Sequence, residues 1–309
     1  MSDGHARREK PSRYAFSTRG VWFGPGESCR GRLYTPDRPA EAPVVVLAPG
    51  AGLAWGPTLE ATAERFAERG YAALAFDHRG FGTSGEGQLI SPARQRTDLD
   101  AAIETARDAP EVDGGRLALW GMDLSAGTAL AAAADAFEVD AVIARFPVTR
   151  GATLLPNWVR PWLRGLAAGL VDYPLSVLGR FRGTPVAERG RRVPLFGDGD
   201  ETVAIAAAGA AHGVREAVGR DPGTTPARSL IHLQRHDVRE RVEAVRCPTL
   251  FVAGEHDNVA SPESVAALSE RLPNASLVRV QAGHYDALSG AGLERIVNHE
   301  LAFLDTELP

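Results

Sequence analysis

The sequence of 309 residues has few cysteines, one lysine and no long apolar run. Its two cysteines, Cys29 and Cys247, are too few for a disulfide framework. We expect both to pack as small hydrophobic residues, and we expect the protein to lie in the reducing cytoplasm. Lys10 is the only lysine among 34 basic residues, which are spread along a chain of net charge −5. No concentration of positive charge therefore predicts binding to nucleic acid or to an anionic membrane.

The sequence pattern also contains no targeting or membrane-spanning segment. Residues 1–12 are polar and charged without the apolar centre of a secretion signal, and we expect a flexible tail there. No stretch reaches the length of about 18 apolar residues that predicts a membrane helix. The length instead predicts one large domain, or one domain with an insertion, with a substantial core.

Short apolar segments that alternate with helical patterns predict a mostly parallel sheet. Residues 44–48, Val-Val-Val-Leu-Ala, have the continuous apolar character of a central strand buried on both faces. Residues 58–69 have helical periodicity and stop at Gly70. Ahead of them, residues 13–23 and 28–34 predict an antiparallel hairpin around Gly24.

The most informative stretch is Leu-Ala-Leu-Trp-Gly-Met-Asp-Leu-Ser-Ala-Gly at residues 117–127. An apolar strand that stops at a glycine, turns through a polar residue and enters a small-residue helix is typical of a nucleophile elbow, Gly-x-Ser-x-Gly. Asp123 occupies the place of the serine at the tip. Ser125 stands two residues later, and we expect its side chain to point elsewhere. The alternative is that Asp123 only caps the helix that follows.

Two later segments supply the partners that a nucleophile needs. Residues 247–257 predict a buried strand ending in Asp257, and residues 276–284 predict a strand ending in His284. The order nucleophile, acid, histidine, together with Leu-Ala-Pro-Gly-Ala-Gly at 47–52 and the loop Asp-His-Arg-Gly-Phe-Gly-Thr-Ser-Gly at 77–85, resembles the α/β-hydrolases. This resemblance covers the chain from about Arg13 to Leu304.

The resemblance implies an α/β-hydrolase fold with a mostly parallel central sheet, helices on both faces and an inserted helical cap. Residues 13–146 and 247–309 would form the core, and residues 147–246 the cap or lid that shapes the substrate pocket. It also implies an oxyanion hole formed by the backbone N–H groups of Ala51 and Leu124.

An aspartate at the tip changes the expected chemistry. Its attack on an ester or amide carbonyl would give a mixed anhydride, whereas attack on a saturated carbon gives an ordinary alkyl ester. Water activated by His284, with Asp257 orienting the imidazole, would then hydrolyse that ester. This two-step scheme resembles epoxide hydrolases and dehalogenases of the aspartate-nucleophile type, and the residues around Asp123 resemble bacterial natural-product epoxide hydrolases that act on polycyclic polyketides.

Three functions remain open from the sequence. The first is opening of an epoxide on a small to medium apolar or polycyclic substrate; the second is dehalogenation or another reaction of an aspartate nucleophile. The third is a descendant without hydrolysis that acts as a cyclase, a lyase or a binding protein. The expected partner is a small molecule, without a cofactor or a metal ion, and the sequence is compatible with a homodimer. The residues that could contact substrate or donate to the leaving oxygen are Tyr173, Trp158, Trp162, His232 and His236.

Overall fold

An eight-stranded sheet lies at the centre of the molecule. The computed structural model describes residues 13–85, 88–135, 138–155, 164–165, 167–172, 191–197, 203–206, 212–215, 223–285 and 288–309. The strand order across the sheet is β1-β2-β4-β3-β5-β6-β11-β12. Strand β2 pairs antiparallel with both β1 and β4, and the last six strands in this order pair parallel with one another. These eight strands are Phe16–Phe23 (β1), Cys29–Pro36 (β2), Ala42–Ala48 (β3), Ala72–Asp77 (β4), Val112–Met122 (β5), Ala141–Arg145 (β6), Thr249–Gly254 (β11) and Ala275–Val280 (β12).

The sequence explains where these strands lie. Every residue of β3 is buried, as its continuous apolar sequence predicts for a strand covered on both faces. The first two strands form the predicted antiparallel hairpin, with Phe16 opposite Pro36 and Phe23 opposite Cys29. The mostly parallel sheet confirms the predicted α/β-hydrolase fold.

Helices flank the sheet, and their ends follow local signals. Helix α1 has Pro57 at its first position and ends at Gly70, whose φ of 105° is the left-handed conformation of a helix C-cap. Helix α3 is buried from Leu124 to Ala133, because its alanines and glycine let it approach β5 and β6 closely. None of the described helices is long and apolar enough to cross a membrane. The helices are Pro57–Arg69 (α1), Pro92–Arg107 (α2), Leu124–Asp135 (α3), Ser229–Gln234 (α4), Arg239–Val242 (α5), Pro262–Ser269 (α6) and Gly290–Glu307 (α7).

The segment between β6 and β11, which was predicted to form a helical cap, is described only in part, and the cap stays a prediction. Its described part contains α4, α5, further helical residues at 164–165, 167–172 and 212–215, a 3₁₀ turn, and two small two-stranded sheets, one formed by β7 with β10 and one by β8 with β9. Strands of two or three residues are too short to give the alternation by which strands are predicted from sequence. Their bounds are Arg192–Pro194 (β7), Phe196–Gly197 (β8), Ile205–Ala206 (β9) and Thr224–Pro226 (β10).

Candidate active site

Asp123 lies at a sharp turn between β5 and α3. The strand ends at Met122, the helix begins at Leu124, and Asp123 has a φ of 55°, which residues other than glycine rarely adopt. A Cβ at Gly121 would stand 2.5 Å from the carbonyl oxygen of Ser125, so glycine is needed for strand and helix to approach. This geometry confirms the predicted strand, turn and helix.

The backbone of Asp123 is fixed by the end of the neighbouring strand β6. Its N–H donates to the carbonyl of Arg145 at 3.0 Å, and its carbonyl accepts from the N–H of Val148, also at 3.0 Å. Phe146, between these two, has a φ of 48°, a second left-handed residue beside the first. Two strained residues held by these hydrogen bonds are typical of a functional site that the surrounding fold over-determines.

Side chains from three separate strand ends meet at His284. Its Nδ1 lies 2.7 Å from Oδ2 of Asp257, and its Nε2 lies 3.6 Å from Oδ1 of Asp123. The other carboxylate oxygen of Asp257 accepts the backbone N–H groups of Val259 and Ala260, each at 2.8 Å. The acid is thereby held in place, and it orients the imidazole toward Asp123.

The two oxygens of Asp123 have different surroundings. Oδ2 accepts the backbone N–H of Ala51 at 2.9 Å, whereas Oδ1 is buried and has no hydrogen-bond partner within the described residues. The side chain therefore makes no capping bond to α3, which argues against the alternative that Asp123 is only a helix cap. Gly50 leaves room for this arrangement, because a Cβ there would stand 3.0 Å from the Cβ of Asp123.

Leu124, the second predicted oxyanion donor, is the first residue of α3 and is fully buried. The N–H groups of a helix's first turn have no partner inside the helix, and they favour negative charge nearby. Its role as a donor stays a prediction.

The two carboxylates change the acidity of His284. Burial lowers the pKa of an imidazole, but the interactions with Asp123 and Asp257 outweigh it and raise the pKa of His284 from 6.5 to about 9. At neutral pH the ring is therefore an imidazolium between two carboxylates. The site therefore places a protonated His284 next to the carboxylate of Asp123.

Aromatic residues surround the imidazole. The ring centroids of Phe146 and Tyr285 lie 5.8 and 4.7 Å from that of His284, and Phe196 of β8 contacts Tyr285 at 6.2 Å. A Cβ at Gly52, beside Ala51, would stand 3.1 Å from the Phe196 ring. Residues of the segment between β6 and β11 thus lie over both the histidine and the Ala51 turn. The sequence patterns did not single out Phe196 or Tyr285, although Tyr285 follows His284 directly.

Ser125 belongs to a different, fully buried group. Its Oγ lies 3.1 Å from Nε2 of His78, and Nδ1 of His78 lies 3.5 Å from Oδ2 of Asp98. Asp98 also pairs with Arg79 through the backbone N–H and the guanidinium. The expectation that Ser125 would point elsewhere agrees with this position, but sequence alone gave no sign of His78, which lies 47 residues away.

The five residues expected to contact substrate divide into two groups. Trp158, Trp162 and Tyr173 lie outside the described residues. His232 and His236 line a surface cleft of about 510 Å³ between α4, the start of α2 and the middle of α3, and the lining of this cleft does not include the residues of the His284 site. Substrate contact by these residues stays a prediction. No group of three or more His, Cys, Asp or Glu in the described part of the chain could hold a metal ion.

Comparison with known proteins places this geometry in a family. The model of the Hydrolase_4 family, described as serine aminopeptidase, S33, matches residues 39–285, which include the six parallel strands of the sheet and the three residues of the His284 site. The chain belongs to this α/β-hydrolase family. It is a hydrolase by that membership, yet the family's description names a serine and the tip of the elbow holds Asp123.

Individual relatives agree with the family. The chain is 30% identical to the quorum-quenching protein AidA of Acinetobacter baumannii (strain MDR-ZJ06) over 289 residues, 91% of this chain and 92% of the relative. It is 27% identical to a thiohydrolase of Eupenicillium brefeldianum over 291 residues, 90% of each. A solved structure of DcsB in complex with its substrate analogue has a TM-score of 0.78 at 22% identity, covering 94% of this chain and 99% of that one, and shows the shared fold.

Proposed function

We propose that this protein is a hydrolase that opens an epoxide on a small to medium apolar or polycyclic substrate through a covalent ester of Asp123. The observation that carries the proposal is that the two carboxylate oxygens of Asp123 have different contacts. Oδ2 accepts the Ala51 N–H at 2.9 Å, whereas Oδ1 is buried, has no hydrogen-bond partner among the described residues and lies 3.6 Å from Nε2 of His284. Because the Ala51 N–H holds Oδ2, Oδ1 is the oxygen that can attack a carbon.

The first step is attack of Oδ1 on a carbon of the strained ring. The nucleophile is the carboxylate of Asp123, whose Oδ1 lies 3.6 Å from Nε2 of His284. A bond forms between Oδ1 and carbon, the carbon–oxygen bond of the epoxide breaks, and the released oxygen takes up one proton. The product is a neutral alkyl ester of Asp123.

The second step depends on the loss of the negative charge of Asp123 in the first step. Once Asp123 is an ester, one of the two carboxylates that raise the pKa of His284 has disappeared, and the imidazolium loses its proton more readily. Neutral His284 can then take a proton from water, whose oxygen attacks the ester carbon. The negative charge develops on Oδ2, where the Ala51 N–H already donates. Collapse releases the diol and restores the carboxylate and the imidazolium.

A second candidate is hydrolysis of an activated acyl group, such as a thioester or lactone. The name of one relative, a thiohydrolase, favours hydrolysis of a thioester over epoxide opening. With an aspartate at the tip, a covalent acyl intermediate would be a reactive anhydride. In this candidate Asp123 and His284 would instead activate water directly, without a bond to the substrate.

Heavy-oxygen water separates the two candidates. With enzyme in excess over styrene oxide in H₂¹⁸O, the ester route puts the heavy oxygen into the carboxylate of Asp123 and leaves the first diol unlabelled. Direct attack by water labels the product and leaves Asp123 unlabelled. Mass spectrometry of the peptide that contains Asp123 reads the result, and the same experiment with a simple alkyl thioester tests the second candidate.

Trapping of the intermediate is the complementary experiment. His284→Gln should still be alkylated but should not hydrolyse the ester, so the protein becomes heavier by the mass of one substrate molecule. Asp237→Asn, which changes an exposed carboxylate paired with Arg239, is the control and should turn over normally. Failure of His284→Gln to accumulate an ester with epoxides or alkyl halides would refute a covalent route and favour a non-hydrolytic or binding role.

A further inference from the structure

Three buried polar atoms without a hydrogen-bond partner in the described part of the chain belong to neighbouring residues. They are Oδ1 of Asp123, Nε2 of His284 and the hydroxyl oxygen of Tyr285. Buried polar groups in native proteins are nearly always paired, and exceptions call for a specific explanation. The first two belong to the proposed nucleophile and base. The third has no role in the steps derived above.

Tyr285 is packed into the site and not at its rim. Its side chain is 5% exposed, and its ring meets the imidazole of His284 edge to face at a centroid distance of 4.7 Å. Phe196 covers it from the other side, and a Cβ at Gly213 would stand 2.5 Å from the Cβ of Tyr285. The phenol is therefore held in one place with its hydroxyl shielded from water.

The hydroxyl keeps its proton in these surroundings. Burial, and then the negative charges of Asp123 and Asp257, raise the pKa of Tyr285 well above its ordinary value of 10. A neutral phenol can donate a hydrogen bond and a proton, and its only needed partner is an acceptor oxygen that the substrate brings.

We propose that the Tyr285 hydroxyl is the proton donor to the oxygen that is released when Asp123 attacks the epoxide. This inference rests on the proposed function. A substrate with its carbon at Oδ1 and its ring oxygen at the phenol satisfies two of the three unpartnered atoms at once. It also gives a reason for preferring an oxygen leaving group, since an alkoxide needs a proton in order to leave and a halide does not.

The proton balance of this step closes within the site. The electron pair of the breaking carbon–oxygen bond stays on oxygen, which takes the Tyr285 proton and leaves a phenolate. The adjacent imidazolium of His284, no longer held by a carboxylate at Asp123, returns a proton to the phenolate and becomes the neutral base. That base then activates the water of the second step, so no outside acid is needed.

The test compares two alkylating agents of similar shape that differ in their need for a proton. In the His284→Gln background, styrene oxide requires a proton donor, whereas (2-bromoethyl)benzene releases bromide without one. The rate at which each agent alkylates Asp123 is followed by mass spectrometry of the intact protein and of the peptide containing residue 123. Tyr285→Phe removes only the hydroxyl. Tyr34→Phe is the matched control, because it removes another buried hydroxyl that has no hydrogen-bond partner among the described residues, far along the chain on β2.

We expect Tyr285→Phe to slow alkylation by styrene oxide about 100-fold or more, the usual effect of losing a general acid, and to leave the rate with the bromide unchanged. Tyr34→Phe should change neither rate. Equal slowing with both agents would show that Tyr285 only supports the structure. No slowing with styrene oxide would show that another group donates the proton. Either result would refute the role of Tyr285 as proton donor and would leave the proposed function standing. Absence of alkylation by both agents with Tyr285 intact would overturn the proposed function as well.

Discussion

The backbone N–H of Ala51 and Oδ2 of Asp123 are joined by a hydrogen bond of 2.9 Å. In a serine hydrolase the corresponding N–H awaits an oxygen of the substrate, whereas here it already holds an oxygen of the protein. This contact makes the two carboxylate oxygens of Asp123 inequivalent before any substrate arrives. In the proposed mechanism the same N–H would stabilise the negative charge that develops on Oδ2 during hydrolysis of the Asp123 ester.

Replacement of Asp123 by asparagine should abolish turnover while keeping the shape of the site. The amide oxygen can still accept the Ala51 N–H, but no ionised oxygen remains to attack carbon. We expect turnover of styrene oxide to fall at least about 1000-fold, as for other nucleophile replacements. Steady-state assays against Asp237→Asn provide the measurement. A variant that kept more than a small fraction of its activity would show that Asp123 is not the nucleophile.

The same replacement should change the titration of His284. Because Asp123 is one of the two carboxylates that raise its pKa to about 9, Asp123→Asn should move that pKa down toward 6.5. Nuclear magnetic resonance of protein with isotope-labelled histidine, recorded across pH 5 to 10, gives the titration curve of His284 directly. An unchanged pKa would mean that Asp257 alone sets the charge of the imidazole.

Stability should depend on pH through His284. Its pKa in the folded protein lies above that of the unfolded chain, so the folded state binds its proton more tightly. The stabilisation is fully present below pH 6.5 and is lost as the pH rises through about 9. A shift of this size corresponds to roughly 3 kcal/mol of unfolding free energy. Urea unfolding at several pH values should show a decline in the wild type that His284→Gln lacks.

The sequence predicted the parts of the site that local pattern and chain order encode. A strand that stops at a glycine and opens into a small-residue helix placed Asp123 at the turn, and strands that end in an acid and a histidine indicated Asp257 and His284. Their distances then follow from the fold, because parallel strands deliver their carboxyl ends to one edge of the sheet.

Contacts between distant, irregular segments could not be predicted in this way. His78 meets Ser125 across 47 residues, and Phe196 reaches Tyr285 from a strand of two residues. Neither pairing leaves a periodic signal, since each depends on how loops pack against the finished sheet. The helical cap expected at residues 147–246 stays a prediction, because many of these residues lie outside the described ranges.

Ser125→Ala should weaken the fold without preventing ester formation. Oγ of Ser125 is the partner of the buried Nε2 of His78, and leaving that nitrogen unpaired should cost about 1–3 kcal/mol. Urea unfolding measures the loss, and the His284→Gln background shows whether Asp123 is still alkylated. Loss of alkylation in a protein of normal stability would instead identify Ser125 as the nucleophile.

The ion pair between Arg145 and Glu300 should be the most sensitive point of the core behind the elbow. Both side chains are fully buried, with Nη2 of Arg145 2.7 Å from Oε2 of Glu300, and the indole N–H of Trp120 donates to Oε1 of Glu300 at 3.1 Å. Glu300→Gln leaves the guanidinium uncompensated and should lower the unfolding free energy by about 3–5 kcal/mol.

A matched control lies on the same helix. Glu294 pairs with Arg65 at the surface, and Glu294→Gln should cost less than about 1 kcal/mol. Arg145→Met combined with Glu300→Leu should recover most of the loss, because no charge then stays buried alone. Alkylation of Asp123 should survive in the double variant, since the carbonyl of residue 145 holds the Asp123 N–H and is unchanged by the substitution. A double variant as unstable as Glu300→Gln would mean that shape, and not charge, accounts for the effect at this position.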